Sequence, residues 1–89
     1  MTATTTANRS SDEQTRTFWV CHELSLRAGQ GAAEIAGCLR DDMYWASHLF
    51  FARAVRTTLN RLEREGKVCH EGNLWSLTPA GLAAERRLG

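Results

Sequence analysis

The side chains best suited to chemistry in this 89-residue chain lie along one face of residues 51–65. At about 100° per residue, the polar members of this segment gather on one side of a helix. They are Arg53, Thr57, Asn60 and Arg64, flanked by Arg56 and Arg61. A guanidinium group grips phosphate bidentately or reads the edge of guanine, and an asparagine amide pairs with adenine. The pattern favours contact with nucleic acid, although any amphipathic helix turns polar residues to solvent.

Positive charge is concentrated in the same part of the chain. The whole sequence has a formal net charge of only +1. Residues 47–67 carry five basic and two acidic side chains, giving +3, whereas residues 1–46 carry four basic and six acidic, giving −2. This distribution indicates one confined contact surface rather than a general coat for nucleic acid.

Cysteine and histidine occur as two adjacent pairs, Cys21-His22 and Cys69-His70. Structural zinc sites space their ligands as C-x2–4-C, whereas adjacent residues point about 100° apart on a helix and to opposite faces of a strand. We therefore predict no metal site and no cofactor.

Three cysteines and no secretion signal predict a reducing, cytoplasmic setting with the thiols as small buried hydrophobes. A redox-sensing thiol is the alternative.

Catalytic motifs are missing from the sequence. It has no phosphate-cradling glycine loop, no paired zinc motif and no nucleophile elbow. Ser47 and His48 are adjacent on a predicted helix, so the histidine cannot activate the serine. Glu13, Glu23 and Glu34 are expected on solvated helical faces. We expect that the chain is not an enzyme.

The proposed contact helix has an apolar stripe opposite its polar face. The stripe consists of Phe51, Val55, Thr58, Leu59 and Leu62. Gly66 follows the last apolar position and fits the left-handed residue that ends many helices. The spacing therefore predicts an amphipathic helix that ends near Glu65.

A very short hairpin and a closing helix are predicted next. Residues 67–70 and 74–77 read as strands, and Glu71-Gly72-Asn73 forms the tight turn between them. Thr78 suits the N-cap of the last helix, and Pro79 suits its first turn. The inner face of that helix is expected to consist of Leu82, Ala83 and Leu88.

The segments LNRLEREGKV and WSLTPAG carry a family resemblance. They resemble winged helix-turn-helix regulators of bacteria and phages, the broad group that includes the multiple-antibiotic-resistance and PadR-like repressors. The resemblance covers Ala32 to Gly81 and is best from Val55 onward. It implies a mainly α fold with a small two-stranded antiparallel β-wing. It also implies a DNA-binding protein that regulates transcription by placing the helix ending at Glu65 in the major groove of double-stranded DNA.

The same resemblance distributes roles among the polar residues. Arg53, Arg56, Thr57, Asn60 and Arg61 would contact bases or phosphates. Arg64 and Lys67 would reach phosphate. At the wing tip, His70 and Asn73 would approach the flanking backbone or minor groove.

The front of the chain fits the same organisation. Residues 1–11 are rich in threonine, alanine and serine, so we predict a disordered tail before one domain over residues 12–89. No stretch has the apolar core of a signal peptide or the length of a membrane span. Helices are predicted over residues 12–27 and 32–39, separated by Gly29-Gln30-Gly31. Gly37, inside the second helix, indicates close packing there.

The aromatic segment from Arg40 to Phe51 departs from the family pattern, in which the turn before the recognition helix is short. Either Asp41 or Asp42 caps one long helix, or Ser47 caps the recognition helix after a separate turn at Met43 to Ala46; we favour the separate turn. Part of this surface needs another cover, because Leu49 and Phe50 fall away from the apolar stripe. We expect a homodimer or a protein partner to supply this cover through Tyr44, Trp45, Leu49 and Phe50.

The competing hypothesis to DNA binding is a protein-interaction module that uses Met43 to Phe51 as its contact surface.

Overall fold

The computed structural model describes residues 2–88, with side chains from 12 to 84. Its elements, in chain order, are α1 (Thr2–Leu26), α2 (Ala32–Asp42), a 3₁₀ helix (Tyr44–Leu49), α3 (Ala52–Arg64), β1 (Val68–Glu71), β2 (Leu74–Leu77) and α4 (Pro79–Leu88). The fold is mainly helical with a small two-stranded antiparallel sheet, as predicted. The structure continues α1 back to Thr2, through the segment where the sequence predicts a disordered tail, and describes no side chains over residues 1–11. Within the described residues, no helix is both long and apolar enough to cross a bilayer.

The apolar stripe of α3 packs into a core formed with α1 and α2. The fully buried core side chains of these three helices include Val20, Ile35, Ala36, Val55, Leu59 and Leu62. Phe51 does not belong to the stripe, because α3 begins one residue later and Phe51 has extended backbone angles of φ −76° and ψ 155°. Its side chain is 50% exposed, so its predicted core position is wrong.

The segment between α2 and α3 forms a separate 3₁₀ helix, so the favoured arrangement is confirmed in outline. Its predicted boundaries are wrong: α2 continues to Asp42, and Phe51 rather than Ser47 is the N-cap residue of α3. Ala46 has the non-helical angles φ −123° and ψ 24°, which kink the 3₁₀ helix. Tyr44 and Trp45, just before this kink, are exposed, whereas Leu49 and Phe50 after it are buried.

Leu49 and Phe50 are buried, with 7% and 0% of their surface exposed. The core of the same chain covers them, so the expectation that they need a partner is wrong. Two arginines satisfy the backbone carbonyls at this point: Arg16 Nε donates to the Leu49 oxygen at 2.5 Å, and Arg40 Nη1 donates to the Phe50 oxygen at 2.9 Å. These contacts fix the start of α3 against α1 and α2.

Strands β1 and β2 form the predicted wing, with Val68 opposite Leu77 and Glu71 opposite Leu74. The first strand lies one residue later than predicted, so Glu71 belongs to β1 and not to the turn. The turn between the strands contains Gly72, whose φ of 62° requires a residue that tolerates left-handed backbone. An unpredicted pairing extends the sheet: Trp75 N donates to the Gln30 oxygen at 2.7 Å on the free edge of β2. The wing is therefore tied to the α1–α2 connection as well as to α3.

The start of α4 is as predicted, because the Gly81 amide donates to Thr78 Oγ1 at 3.1 Å. Its inner face is different: Leu82 is 38% exposed and Ala83 is exposed, while Leu88 lies outside the described side chains. The buried residue is Gly81, where a Cβ would overlap the Lys67 carbonyl oxygen. At Gly37 a Cβ would meet nothing within 4 Å, so the close packing predicted there is absent.

Candidate nucleic-acid interface

The outer face of α3 presents five polar side chains to solvent. They are Arg53, Arg56, Thr57, Asn60 and Arg64, all exposed. Within the described part of the chain, the three arginines form no ion pair or side-chain hydrogen bond. Their guanidinium groups therefore keep all their donors available for an external acceptor.

A groove of ≈ 520 Å³ runs between α3, the wing and the start of α2. Its walls include Arg56 and Asn60 from α3, and His70 and Asn73 from the wing. The fold thus brings together four of the predicted DNA-contacting residues, which are separated in sequence. The start of α2 at residues 31–33 closes the groove on its third side.

Arg61 does not belong to the exposed face, contrary to the sequence prediction. Its Nη1 lies 2.6 Å from Glu13 Oε1, its Nη2 donates to Thr17 Oγ1, and its Nε lies 3.7 Å from Glu65 Oε2. Only 30% of the side chain is exposed. Arg61 therefore braces α3 against α1, and its charge is compensated by two carboxylates.

Two further side chains predicted to contact DNA are also paired. Lys67 Nζ lies 3.4 Å from Glu65 Oε1, and His70 Nδ1 lies 2.5 Å from Glu63 Oε2. The His70 ring also contacts Trp75, with ring centroids 4.8 Å apart. His70 therefore anchors the wing to α3, and the unpaired positive charge of the region comes from Arg53, Arg56 and Arg64.

Glu23 was expected on a solvated face but is buried, with 3% of its surface exposed. Its Oε2 accepts from Arg27 Nη2 at 3.1 Å and from Gln30 Nε2 at 3.2 Å. The Glu23 carboxylate and, secondarily, Cys38 raise the pKa of Arg27 above its ordinary value. This cluster fixes Gln30 where its backbone pairs with Trp75, so it helps to position the wing.

The four predicted interface residues divide into two pairs. Tyr44 and Trp45 are 78% and 70% exposed, and their rings meet edge to face at 5.5 Å. Leu49 and Phe50 belong to the core instead. An aromatic surface is therefore present, but it is smaller than the sequence predicted.

The cysteines differ from the buried hydrophobes that were expected. Cys69 is exposed, and Cys21 and Cys38 are half-buried. Among the residues whose placement is described, no group of three or more histidine, cysteine, aspartate or glutamate side chains could hold a metal ion.

Comparison of the chain with protein-family models, curated proteins and solved structures found no match.

Proposed function

We propose that this chain binds double-stranded DNA through the exposed face of α3 and regulates transcription. The observation that carries the proposal is the row of unpaired arginines on that face, with Thr57 and Asn60 between them. Arginine and asparagine are the side chains that most often read guanine and adenine in the major groove. Arg56 and Asn60 also line one groove together with the wing and the start of α2. This arrangement supports a binding surface rather than a merely solvated face.

The dimensions of α3 suit this placement. Its 13 residues span about 20 Å at about 1.5 Å per residue, and a helix fits the about 12 Å width of the major groove. Arg56 and Asn60 are one helical turn apart and would reach base edges. Arg53 and Arg64, nearer the two ends, would bind phosphates on either side, and Asn73 on the wing would approach the adjacent backbone.

The test is fluorescence anisotropy of a labelled duplex of random sequence across a salt series. Binding by phosphate neutralisation weakens with salt, with a slope of about 0.9 per contact. The double variant Arg56→Ala, Asn60→Ala is then measured on the tightest sequence selected from a random library. We expect it to lose about 1–3 kcal/mol of binding free energy, or roughly fivefold to 150-fold in Kd.

Arg61→Ala is the matched control, since it removes one arginine from the same helix but from the side that packs on α1. Its affinity and salt slope should stay close to those of the parent protein. If the double variant binds DNA as tightly as the parent protein, α3 is not part of the interface. A folded protein that binds no duplex at low salt would overturn the proposal as a whole.

The proposal includes a homodimer and a cytoplasmic setting. A two-fold dimer would place its two α3 helices about 34 Å apart, one turn of the duplex. Sedimentation equilibrium with and without DNA would test this. No disulfide joins the three cysteines among the described residues, which supports a reducing compartment.

A protein-interaction module is the second candidate function. The observation that favours it is the exposure of Tyr44 and Trp45, since large apolar side chains in contact on a surface mark interaction sites. The two functions use different surfaces and are compatible in one molecule.

A further inference from the structure

The corner between α1, α2 and the 3₁₀ helix contains an open cavity of ≈ 270 Å³. Its walls combine aromatic rings with carboxylates: Trp19, Trp45, Glu23 and Asp42, with Leu26 at one side and the His22 ring beside Trp19. We name this the aromatic–acidic corner. We propose that it receives an arginine or lysine side chain from a basic, partly apolar segment of a partner protein. The inference rests on the interaction function above and is independent of DNA binding.

The aromatic rings supply a surface for a cation. A cation above a tryptophan face is attracted by the ring quadrupole, and arginine also stacks flat on it. Trp45 is 70% exposed and Leu26 is 66% exposed, although both line the same cavity. Tyr44 extends the aromatic surface by its edge-to-face contact with Trp45. The aliphatic stem of an arginine or lysine would cover this apolar area while its head meets the rings.

The charges around the cavity favour a cation over an anion. Asp41 and Asp42 are both exposed, and neither forms a side-chain ion pair within the described part of the chain. Arg27 is paired with Glu23, and Arg40 donates to the Phe50 carbonyl. Of the two aspartates, Asp42 lines the cavity beside the rings, and Asp41 precedes it on α2.

The small, open cavity suits one side chain better than a whole small-molecule ligand. Binding sites for small molecules and cofactors have volumes of about 300–1,000 Å³ and enclose most of the ligand. A volume of ≈ 270 Å³ in an open corner is below that range. Affinity must therefore come from the surrounding surface, which a protein segment covers and a free amino acid does not.

A second copy of this chain fits the corner less well. A two-fold contact buries the same patch of both subunits, so the Asp41 and Asp42 carboxylates of both copies would share one interface. Like charges in one interface are unfavourable. No residue of α3 or the wing lines the cavity, so the corner stays accessible while α3 is on DNA.

The experiment follows the tryptophan indole N–H resonances of the ¹⁵N-labelled full chain. The probe is a short peptide of leucine and arginine, and the same peptide with glutamate in place of arginine is its control. We expect the arginine peptide to shift Trp19 and Trp45 but not Trp75, which is 8% exposed and lies on the wing. The glutamate peptide should shift none of them.

Two variants test the chemistry, and a third is the control. Trp45→Ala should weaken binding of the arginine peptide by roughly twofold to fivefold, which corresponds to about 0.5–1 kcal/mol for one exposed cation–π contact. Asp42→Asn should weaken it by a similar factor, because it removes one exposed ion pair. Glu71→Gln removes an exposed carboxylate from the wing and should leave binding unchanged. Both Asp42 and Trp45 are exposed, so these variants should keep the fold, which circular dichroism would verify.

Several results would overturn the inference. Equal binding of both peptides would show unspecific apolar contact. Binding unaffected by Asp42→Asn would show that the Asp42 carboxylate does not attract the arginine. Absence of any shift would show that the corner is not a docking site. Sedimentation that shows a dimer dissociated by Trp45→Ala would assign the surface to a second copy. None of these results depends on whether the protein binds DNA.

Discussion

Replacing Gly81 with alanine should destabilise the protein, although helix propensity alone predicts the opposite. Gly81 is the third residue of α4, where alanine would contribute about 1 kcal/mol. Its Cβ would overlap the Lys67 carbonyl oxygen and lie 3.0 Å from Leu77 Cδ2. Such overpacking costs about 1–3 kcal/mol. Moving the carbonyl also breaks its hydrogen bond from the Thr78 amide, 3.0 Å long and worth about 1 kcal/mol.

The three contributions leave a net loss of about 1–3 kcal/mol for Gly81→Ala, which lowers Tm by roughly 5–20 °C in a domain of this size. Gly37→Ala is the matched control in α2, because a Cβ there meets no heavy atom within 4 Å. It should gain about 1 kcal/mol and raise Tm by about 4–8 °C. Thermal and urea unfolding followed by circular dichroism measure both variants. If Gly81→Ala is as stable as the parent protein, the close approach of α4 to Lys67 is refuted.

Three further predictions concern the packing around the two surfaces. Arg61→Ala should lower the free energy of unfolding by about 0.5–1 kcal/mol in urea titrations, because a partly exposed brace between α1 and α3 is lost; no loss would contradict that role. Glu23→Ala should cost about 1–3 kcal/mol, because the Gln30 amide loses a buried acceptor, whereas Glu23→Gln keeps an acceptor and should cost less. Equal unfolding midpoints for those two variants would contradict the hydrogen-bond argument. Cys69 should react first with a thiol reagent, as mass spectrometry of the labelled peptides can show, and earlier labelling of a half-buried cysteine would disagree with the fold.

Elements whose signals are local were predictable from the sequence. The stripe of α3 repeats with the helical period, so Val55, Leu59 and Leu62 were placed correctly. The wing follows from a glycine turn between two short alternating strands, and α4 follows from Thr78 and Pro79. Each of these signals depends on residues that are close in sequence, so the sequence pattern alone predicts the element.

The features that were missed depend on contacts between distant parts of the chain. Arg61 lies on the flank of α3 by its spacing, and only its pairing with Glu13, 48 residues away, removes it from the exposed face. Glu23 is buried because Gln30 and Arg27 meet it at a corner that periodicity does not describe. Phe50 lies in the core after the backbone kink at Ala46. No residue type in that segment predicts the kink.

The pairing of Gln30 with Trp75 also constrains the order in which the chain folds. The adjacent contact, from the Gly29 amide to Ser76 Oγ, closes a loop of 47 residues that contains α2, α3 and β1. Closing so long a loop is entropically costly, so this contact should form after the helices have packed. The hairpin of β1 and β2 needs only a two-residue turn and can form early, but two isolated strands are marginally stable in water. The wing thus becomes rigid only when the rest of the domain is assembled, and the Trp75 amide should exchange with solvent at the rate of global unfolding.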